Sequence, residues 1–268
     1  MMEKLIFLGT GNAGATRCYN TCFVISSGNG YFLVDGGGGN GILAQLEKAD
    51  IPLQAIHHIF LSHSHTDHIF GIIWMIRMIG AGMARDNYKG NLNIYCHHGL
   101  TGILTAIAGF TLADELTRLI GDRIIMHSLE DGENKEILGN KVTFFDIHSE
   151  KLKQFGFTLI LKNGKKLTFI GDEPYNESEY KYVNQVDWLL HESFCLYGER
   201  DLFKPYEKYH TTVKEACETA EKLQVKNLVL YHTEDRNILQ RKEMYTKEGR
   251  DYYNGCLFVP DDLEVLHL

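Results

Sequence analysis

The chain lacks several features that would place it in whole classes of protein. Its 268 residues include six cysteines without any C-x-x-C pair, and only four prolines. Because the first residues also show no export signal, we expect reduced thiols in a cytoplasmic protein and not a disulfide framework. No proline-rich linker or low-complexity tract interrupts the sequence, which favours one continuous domain over residues 1–268.

Long hydrophobic runs are also scarce. The N-terminal apolar stretch reaches only four residues before a glycine turn, too short for a signal-peptide core or a membrane span. The most apolar later stretch, Ile69 to Ala84, is interrupted by Arg77 and by glycines. We therefore predict a buried helix there and no membrane anchor.

Positive charge is in deficit as well. The sequence carries 27 lysines and arginines against 35 acidic residues, for a formal net charge of −8. This balance disfavours a surface that attracts polyanions everywhere, although a local basic patch is compatible with it. The one compact basic run, "KNGKK" at 162–166, is explained equally well by a solvated turn. The hydrophobic content of 44% is enough for a sizeable core.

Strand-like and helix-like segments alternate in both halves, which predicts α/β layers. An Asn-Gly pair at 163–164 predicts a hairpin turn. Strands are predicted at 4–10, 21–27, 30–37, 55–63, 92–97, 141–148, 156–162, 166–172, 186–193 and 227–232. Helices are predicted at 41–48, 69–84, 100–120 and from a cap at Thr211 or Thr212.

Polar side chains with metal-binding or catalytic potential follow several of these runs. In layered α/β folds, binding sites collect where strands end and loops begin. The residues at, or one position beyond, the end of an apolar strand-like run are His63, His148, Asp172, His191 and His232.

The stretch "FLSHSHTDHIFG" places three histidines and an aspartate within six positions. A tight loop that enters a helix can bring the side chains of His63, His65, Asp67 and His68 together. Four donors exceed what one tetrahedral zinc takes from a single loop, so the spacing indicates two neighbouring ions. The alternative is a polar helix entrance with solvated histidines.

"HSHTDH" fits the H-x-H-x-D-H signature of the metallo-β-lactamase superfamily. Further stretches, "FLGTGNAGATRCYNT", "LVDGGGG", "FIGDEP", "WLLHESF" and "KYHTTVKEACETAEKLQVKNLVLYHTEDRN", follow in the order of the ribonuclease Z branch, which the chain resembles from end to end. The resemblance implies a four-layer αββα sandwich of metallo-β-lactamase type.

Carried over residue by residue, the resemblance implies two zinc ions. His63, His65 and His148 would bind one ion, Asp67, His68 and His232 the other, and Asp172 would bridge them. Imidazole and carboxylate donors suit zinc or manganese, and iron is a further alternative. Taken singly, His148 and His232 are equally consistent with structural strand-end histidines. Position 65 is a histidine and is not replaced by a glutamate, which disfavours the oxygen-reducing di-iron branch of the superfamily.

Four other residues match the family pattern. His191 and Glu192 begin a His-Glu-Ser-Phe sequence where relatives have His-Glu-Ala-Thr, and would orient a ligand side chain. His210, before a helix N-terminus, would donate a proton to the leaving oxygen or hold a phosphate. Asp35 would brace the metal loop. Each has a structural alternative. His191 and Glu192 could be a buried polar pair, His210 a residue at the entry of a helix, and Asp35 an aspartate that caps a turn.

The remaining histidines have no partner motif, and we predict structural or surface roles for them. They are His57, His58, His97, His98, His127 and His267. The N-terminal "GTGNAG" has the wrong spacing for a dinucleotide-binding loop.

The chemistry implied is hydrolysis by a metal-bridging hydroxide, with Asp67 orienting or deprotonating the water. The leading hypothesis is a ribonuclease Z-like phosphodiesterase that acts on RNA ends or on smaller phosphodiesters. Only 24 residues separate His148 from Asp172, which leaves no room for an exosite arm. Hydrolysis of a lactone, thioester or sulfate ester, and a non-catalytic metal-binding protein, are the alternatives. By similarity to the relatives, a homodimer is expected.

Overall fold

The computed structural model describes residues 3–28 and 30–268. The chain divides into two compact units, each described by itself below. Unit 1 comprises Met1–Gly9, Tyr19–Glu130 and Leu263–Leu268, and unit 2 comprises Thr10–Cys18 and Asp131–Asp262. The single domain expected over the whole chain stays a prediction.

Unit 1 contains a mixed sheet with the strand order β14-β1-β2-β3-β4-β5-β6. Strands β3 to β6 are parallel, while β14, β1, β2 and β3 pair antiparallel. The parallel part places the carboxyl ends of its strands at one edge of the sheet. The strands are β1 (Lys4–Gly9), β2 (Cys22–Ser27), β3 (Gly30–Val34), β4 (Ile56–Phe60), β5 (Leu92–His97), β6 (Ile124–Leu129) and β14 (Val265–His267).

The helices of unit 1 are α1 (Gly41–Lys48), α2 (Thr66–Ala84), α3 (His98–Thr111) and α4 (Asp114–Thr117). α2 buries Ile72, Met75, Ile76 and Ile79 in the core, as expected for the apolar segment. The single helix predicted at 100–120 is wrong, because the backbone after α3 is extended before α4 begins. This break lets Leu112 and Leu116 both reach the core.

Unit 2 contains a second mixed sheet, in the order β13-β12-β11-β10-β9-β8-β7. Strands β10 to β13 are parallel, and β7 to β10 pair antiparallel. The predicted hairpin joins β9 to β10, with Gly164 at φ +82° in its turn. The strands are β7 (Asn134–Ile137), β8 (Asn140–Asp146), β9 (Phe155–Ile160), β10 (Lys166–Phe169), β11 (Trp188–Glu192), β12 (Asn227–Tyr231) and β13 (Cys256–Phe258).

The helices of unit 2 are α5 (Tyr180–Val183), α6 (Arg200–Phe203), α7 (Val213–Lys222) and α8 (Arg241–Gly249). Thr212 caps α7 in a capping box with Glu215, as its sequence predicts. α8 was not expected, because its charged sequence shows no apolar stripe. It is nevertheless anchored by Arg241 and Tyr245, which are both fully buried.

Several strands end earlier than the sequence predicts, so the polar residues lie further out in the loops. The segment predicted as strand 55–63 ends at Phe60, and that predicted as 166–172 ends at Phe169. Among the residues described, no helix combines the length and the apolar character needed to cross a membrane.

Candidate functional site

The histidine cluster of unit 1 lies in the segment that links β4 to α2. The backbone is extended at His65, directly before the helix begins. His63 Nε2 and His65 Nδ1 lie 2.9 Å apart, and Asp67 and His68 occupy the first turn of α2. His68 Nε2 lies 3.3 Å from Asp67 Oδ2. The loop therefore presents nitrogen and oxygen donors in two close pairs.

Asp35, at the end of β3, holds this loop in place. Its Oδ1 accepts the backbone N–H of Ser62 at 2.8 Å, and its Oδ2 accepts the Ser62 hydroxyl at 2.7 Å. The same Oδ2 lies 2.8 Å from His68 Nδ1, and the Ser62 hydroxyl lies 2.9 Å from His63 Nδ1. The brace predicted for Asp35 is present, and it fixes which ring nitrogens of His63 and His68 point away from it.

Glycines permit the close approach of α2 to the loop after β3. A Cβ at Gly71 would lie 1.7 Å from the carbonyl oxygen of Gly36. The backbone N–H of Gly36 donates to His68 O, and that of Gly71 donates to Gly37 O. The glycine run after Asp35 is thus a packing surface for the helix that carries Asp67 and His68.

The electrostatics of His68 follow from this arrangement. Full burial opposes protonation of the ring, but the carboxylates of Asp67 and Asp35 outweigh burial and raise the pKa of His68 well above its ordinary value. Two carboxylates around one buried imidazole make a locally negative environment. Such a site favours a bound cation.

The predicted ligands of unit 2 come from three separate strands that run in the same direction. His148 follows β8, Asp172 follows β10, and His232 follows β12. His232 Nε2 lies 3.6 Å from Asp172 Oδ2, and both residues are buried. His148 is exposed, and its backbone N–H donates to Asp146 Oδ1 at 2.8 Å. His148 and His232 both have positive φ angles, of 55° and 59°.

A second group of buried side chains surrounds the end of β11. Glu192 Oε1 accepts the backbone N–H of Thr211 at 2.5 Å, and its Oε2 lies 3.5 Å from His210 Nδ1. His191 Nδ1 lies 2.6 Å from the carbonyl oxygen of Glu192. Burial raises the pKa of Glu192 well above its usual range, and lowers the pKa of both His191 and His210 to about 4. Burial therefore favours the neutral forms of Glu192, His191 and His210.

The donors of unit 2 fit a cation. Ligand atoms of Glu192, His210 and His232 all lie within 4.8 Å of one another. Within the described ranges, Glu192 Oε2, His210 Nδ1 and His191 Nε2 are buried without a hydrogen-bond partner. Buried polar atoms of this kind are costly unless a cation, proton or water satisfies them. All of these donors are nitrogen or oxygen, the set that suits zinc or manganese.

A cavity of about 520 Å³ opens beside two of the predicted site residues, His148 and His210. Three tyrosines, Tyr175, Tyr206 and Tyr209, supply its aromatic surface. The rest of its lining consists of Glu150, Glu173, Pro174, Asn176 and Ser178. A second hollow of about 240 Å³ shares Tyr175, Tyr206 and His210 with it. Aromatic faces and carboxylates together suit a planar group that donates hydrogen bonds.

The other histidines of unit 1 make contacts within the sheet and beside it. His58 Nδ1 lies 3.1 Å from the Tyr95 hydroxyl, and His127 stacks on the Tyr95 ring with centroids 4.7 Å apart. His57 Nδ1 lies 2.8 Å from the Tyr88 hydroxyl. These contacts agree with the structural roles expected of them.

Sequence reasoning missed three contributors of unit 2. The Gln154 amide contacts Asp172, and the tyrosines of the cavity face His148 and His210. Arg241, fully buried, donates to the hydroxyls of Thr10 and Thr233, beside His232. Gln154 and Asp172 lie 18 positions apart and Arg241 and Thr10 lie 231 apart, so no local pattern indicates these two contacts.

Comparison with solved structures identifies the fold. The YhfI protein of Bacillus subtilis, described as a metallo-beta-lactamase fold protein, superposes over all of both chains with a TM-score of 0.81 at 16% identity. The short form of human tRNase Z superposes with a TM-score of 0.75 at 21% identity, covering 98% of each chain. The predicted α/β fold of metallo-β-lactamase type is confirmed.

Sequence relatives refine this result. A ribonuclease Z of Bacteroides fragilis is 26% identical over an alignment that covers 90% of this chain and 94% of the relative. Coverage at nearly full length agrees with a short form without an exosite arm, and the β9–β10 hairpin fills the interval where the arm would lie. The predictions of a metallo-β-lactamase-type fold and of a ribonuclease Z-like chain are confirmed.

A match to a protein-family model assigns the chain to a particular family. The model described as "Anti-Pycsar protein Apyc1" matches residues 3–249. The chain therefore belongs to the Anti-Pycsar protein Apyc1 family. The sequence analysis predicted the metallo-β-lactamase superfamily and its ribonuclease Z-like branch, but it did not predict this family.

Proposed function

We propose that the chain hydrolyses phosphodiesters with two zinc ions held by the predicted ligands. The observation that carries the proposal is the loop before α2, where His63, His65, Asp67 and His68 gather four nitrogen and oxygen donors against the Asp35 brace. The ligand sets stay as predicted, namely His63, His65 and His148 for one ion, Asp67, His68 and His232 for the other, and Asp172 as the bridge. Manganese or iron would suit the same donors.

Bound zinc would lower the pKa of a water molecule and stabilise negative charge on a phosphate. Asp67 would orient that water and accept its proton. His210 would protonate the leaving oxygen, since its Nδ1 lies 3.5 Å from the Glu192 carboxyl that could resupply the proton. His191 would hold the backbone of Glu192 through its ring nitrogen.

The cavity beside His148 and His210 favours smaller phosphodiesters over long RNA. Its tyrosines offer stacking surfaces for a nucleobase or another planar group. Glu150 and Glu173 in its lining would repel further phosphates of a polynucleotide. The net charge of −8 and the short hairpin also disfavour a grip on the tRNA body.

The test compares three substrates on protein of measured metal content: bis(p-nitrophenyl) phosphate, thymidine 5′-p-nitrophenyl phosphate and a 3′-extended tRNA precursor. Asp67→Ala should abolish turnover of every substrate that the wild type cleaves, whereas Asp86→Ala, which changes an exposed aspartate, should not. We expect both small diesters to be cleaved, the nucleoside diester with the lower KM. Metal binding at two equivalents with no diester turnover, or better turnover of lactones, thioesters or sulfate esters, would contradict the proposal.

A homodimer through α3 is proposed as well. The segment His98–Thr111 contains no charged residue, and it exposes 41% of Ile103 and 89% of Phe110. An uncharged helix face with exposed apolar side chains is typical of an interface. Phe110→Lys should convert a dimer to a monomer in light scattering coupled to size exclusion, and Leu239→Lys, at an exposed leucine of unit 2, should not. A wild-type monomer would refute the proposal.

A cytoplasmic location is proposed from the thiols. All six cysteines are free, and four of them are buried. Burial raises the pKa of Cys96, Cys195 and Cys217 to about 12, which keeps them protonated and unreactive in a reducing compartment.

A further inference from the structure

Gln154 grips the proposed bridging ligand, Asp172, from two sides. Its Nε2 donates to Asp172 Oδ1 at 2.5 Å, and its Oε1 accepts the backbone N–H of Asp172 at 2.9 Å. Both residues are almost fully buried, with exposures of 1% and 3%. One neutral side chain thus fixes both the main chain and the carboxylate of the same residue.

The residues around the Gln154 side-chain amide leave room for it beside Asp172. Gly171 has a φ of +76°, and a Cβ at this position would lie 1.9 Å from Gln154 Oε1. The Tyr231 hydroxyl donates to the carbonyl oxygen of Gly171, and the carbonyl oxygen of Gln154 accepts from the backbone N–H of Ile147. The glycine therefore makes the space that the amide fills.

The consequence lies in how the two oxygens of Asp172 are used. Oδ1 is engaged by Gln154, while Oδ2 lies 3.6 Å from His232 Nε2. A hydrogen bond to one carboxylate oxygen restricts rotation of the group and so fixes the direction of the other. The amide carries no charge, so it orients Asp172 without competing for its negative charge as a lysine or arginine would.

We propose that Gln154 is a positioning residue that sets the orientation of Asp172 for metal binding. The inference rests on the proposed function, in which Asp172 is a metal ligand. Hydrogen-bonding partners of metal ligands contribute about 10- to 100-fold to metal affinity, and the same range is expected here. The competing explanation is that Gln154 only ties the start of β9 to the end of β10.

The experiment measures zinc affinity by competition with a chromophoric chelator, without substrate. Gln154→Met keeps the length of the side chain and removes both hydrogen bonds. Gln45→Met is the matched control, because Gln45 is also buried and its Nε2 donates to the carbonyl oxygen of Leu8, away from any proposed ligand. We expect about 10- to 100-fold weaker zinc binding by Gln154→Met and no change by Gln45→Met, although both variants lower the Tm.

A double-mutant cycle sharpens the result. If Gln154 acts through Asp172, the effect of Gln154→Met on zinc affinity disappears in an Asp172→Asn background. Wild-type zinc affinity in Gln154→Met, with a Tm loss like that of the control, would overturn the inference. If Gln154→Met does not fold, Gln154→Asn, whose amide is one methylene too short, takes its place. If the cycle shows that Gln154 and Asp172 act together on zinc affinity but the protein cleaves no diester, the proposed function is refuted and the role of Gln154 is not.

Discussion

The two units gather their proposed ligands in opposite ways. Unit 1 takes four of them from six consecutive positions, where one loop enters one helix. Unit 2 takes His148, Asp172 and His232 from the ends of three strands that lie far apart in the sequence. The first arrangement depends on local backbone geometry, and the second depends on the register of a whole sheet. Damage to packing should therefore affect the two ligand sets differently.

Removal of one ligand from each unit should produce the largest effects. We expect His65→Ala and His232→Ala each to lower diester turnover by roughly 10³-fold or more, since residues that act as a unit fail together. Their stabilities should differ: His65 is half-buried, whereas His232 is 2% exposed and leaves a cavity. Turnover and the Tm of metal-free protein are the measurements, with exposed His98→Ala as the control. Equal Tm losses would show that the contrast between the units is wrong.

The second-largest effect should come from disturbing the contact between Gly71 and Gly36 in unit 1, which should lower the free energy of unfolding. Gly71→Ala places a methyl group 1.7 Å from the Gly36 carbonyl oxygen, so we expect a loss of about 3 kcal/mol or more in urea unfolding. Gly102→Ala on α3 meets no atom within 4 Å and should instead stabilise by about 1 kcal/mol. Similar results for the two substitutions would mean that α2 can shift away from Gly36 without penalty.

The N-terminus of α7 offers a smaller test in unit 2. Thr212→Ala removes the capping box with Glu215 and should cost about 1 kcal/mol. Thr219→Ala, within the same helix, should be neutral or slightly stabilising because alanine is the better helix former. Chemical unfolding checks both values. If Thr212→Ala leaves the free energy of unfolding unchanged, the hydrogen bond from the Thr211 backbone N–H to Glu192 holds this helix end without the cap.

The smallest effect is expected from His58 in unit 1. Burial, followed by the neighbouring His57 and His127, lowers the pKa of His58 from 6.5 to about 4. Between pH 6.5 and about 4 the unfolded chain takes up a proton at this position that the folded chain does not, so stability falls as the pH falls through this window. His58→Gln should flatten that decline. An unchanged slope, or an equal change in exposed His267→Gln, would contradict the assignment.

The sequence predicted well whatever is encoded locally. The α7 cap and the Asn163–Gly164 turn each rest on a short pattern, and both are present. The loop ligands also rest on a short pattern, and their metal binding stays a prediction. Asp172 and His232 came only from family order, because a lone residue after a strand carries no distinctive signal. Gln154 was missed because its partner, Asp172, lies 18 positions further along the chain. The cavity tyrosines were missed because a tyrosine close to a candidate histidine carries no distinctive signal by itself. The strand Asn134–Ile137 was missed as well, since "NKEI" lacks alternating apolar residues.

The tight hairpin between β9 and β10 also makes unit 2 a scaffold for engineering. Its turn is solvent-exposed, with Gly164 in the left-handed region, and such loop tips tolerate inserted segments. Lengthening a flexible loop costs only about 0.6 kcal/mol for each doubling of its length. A substrate-gripping module could therefore be grafted at this turn, which would make the chain a recipient for recognition elements that it lacks.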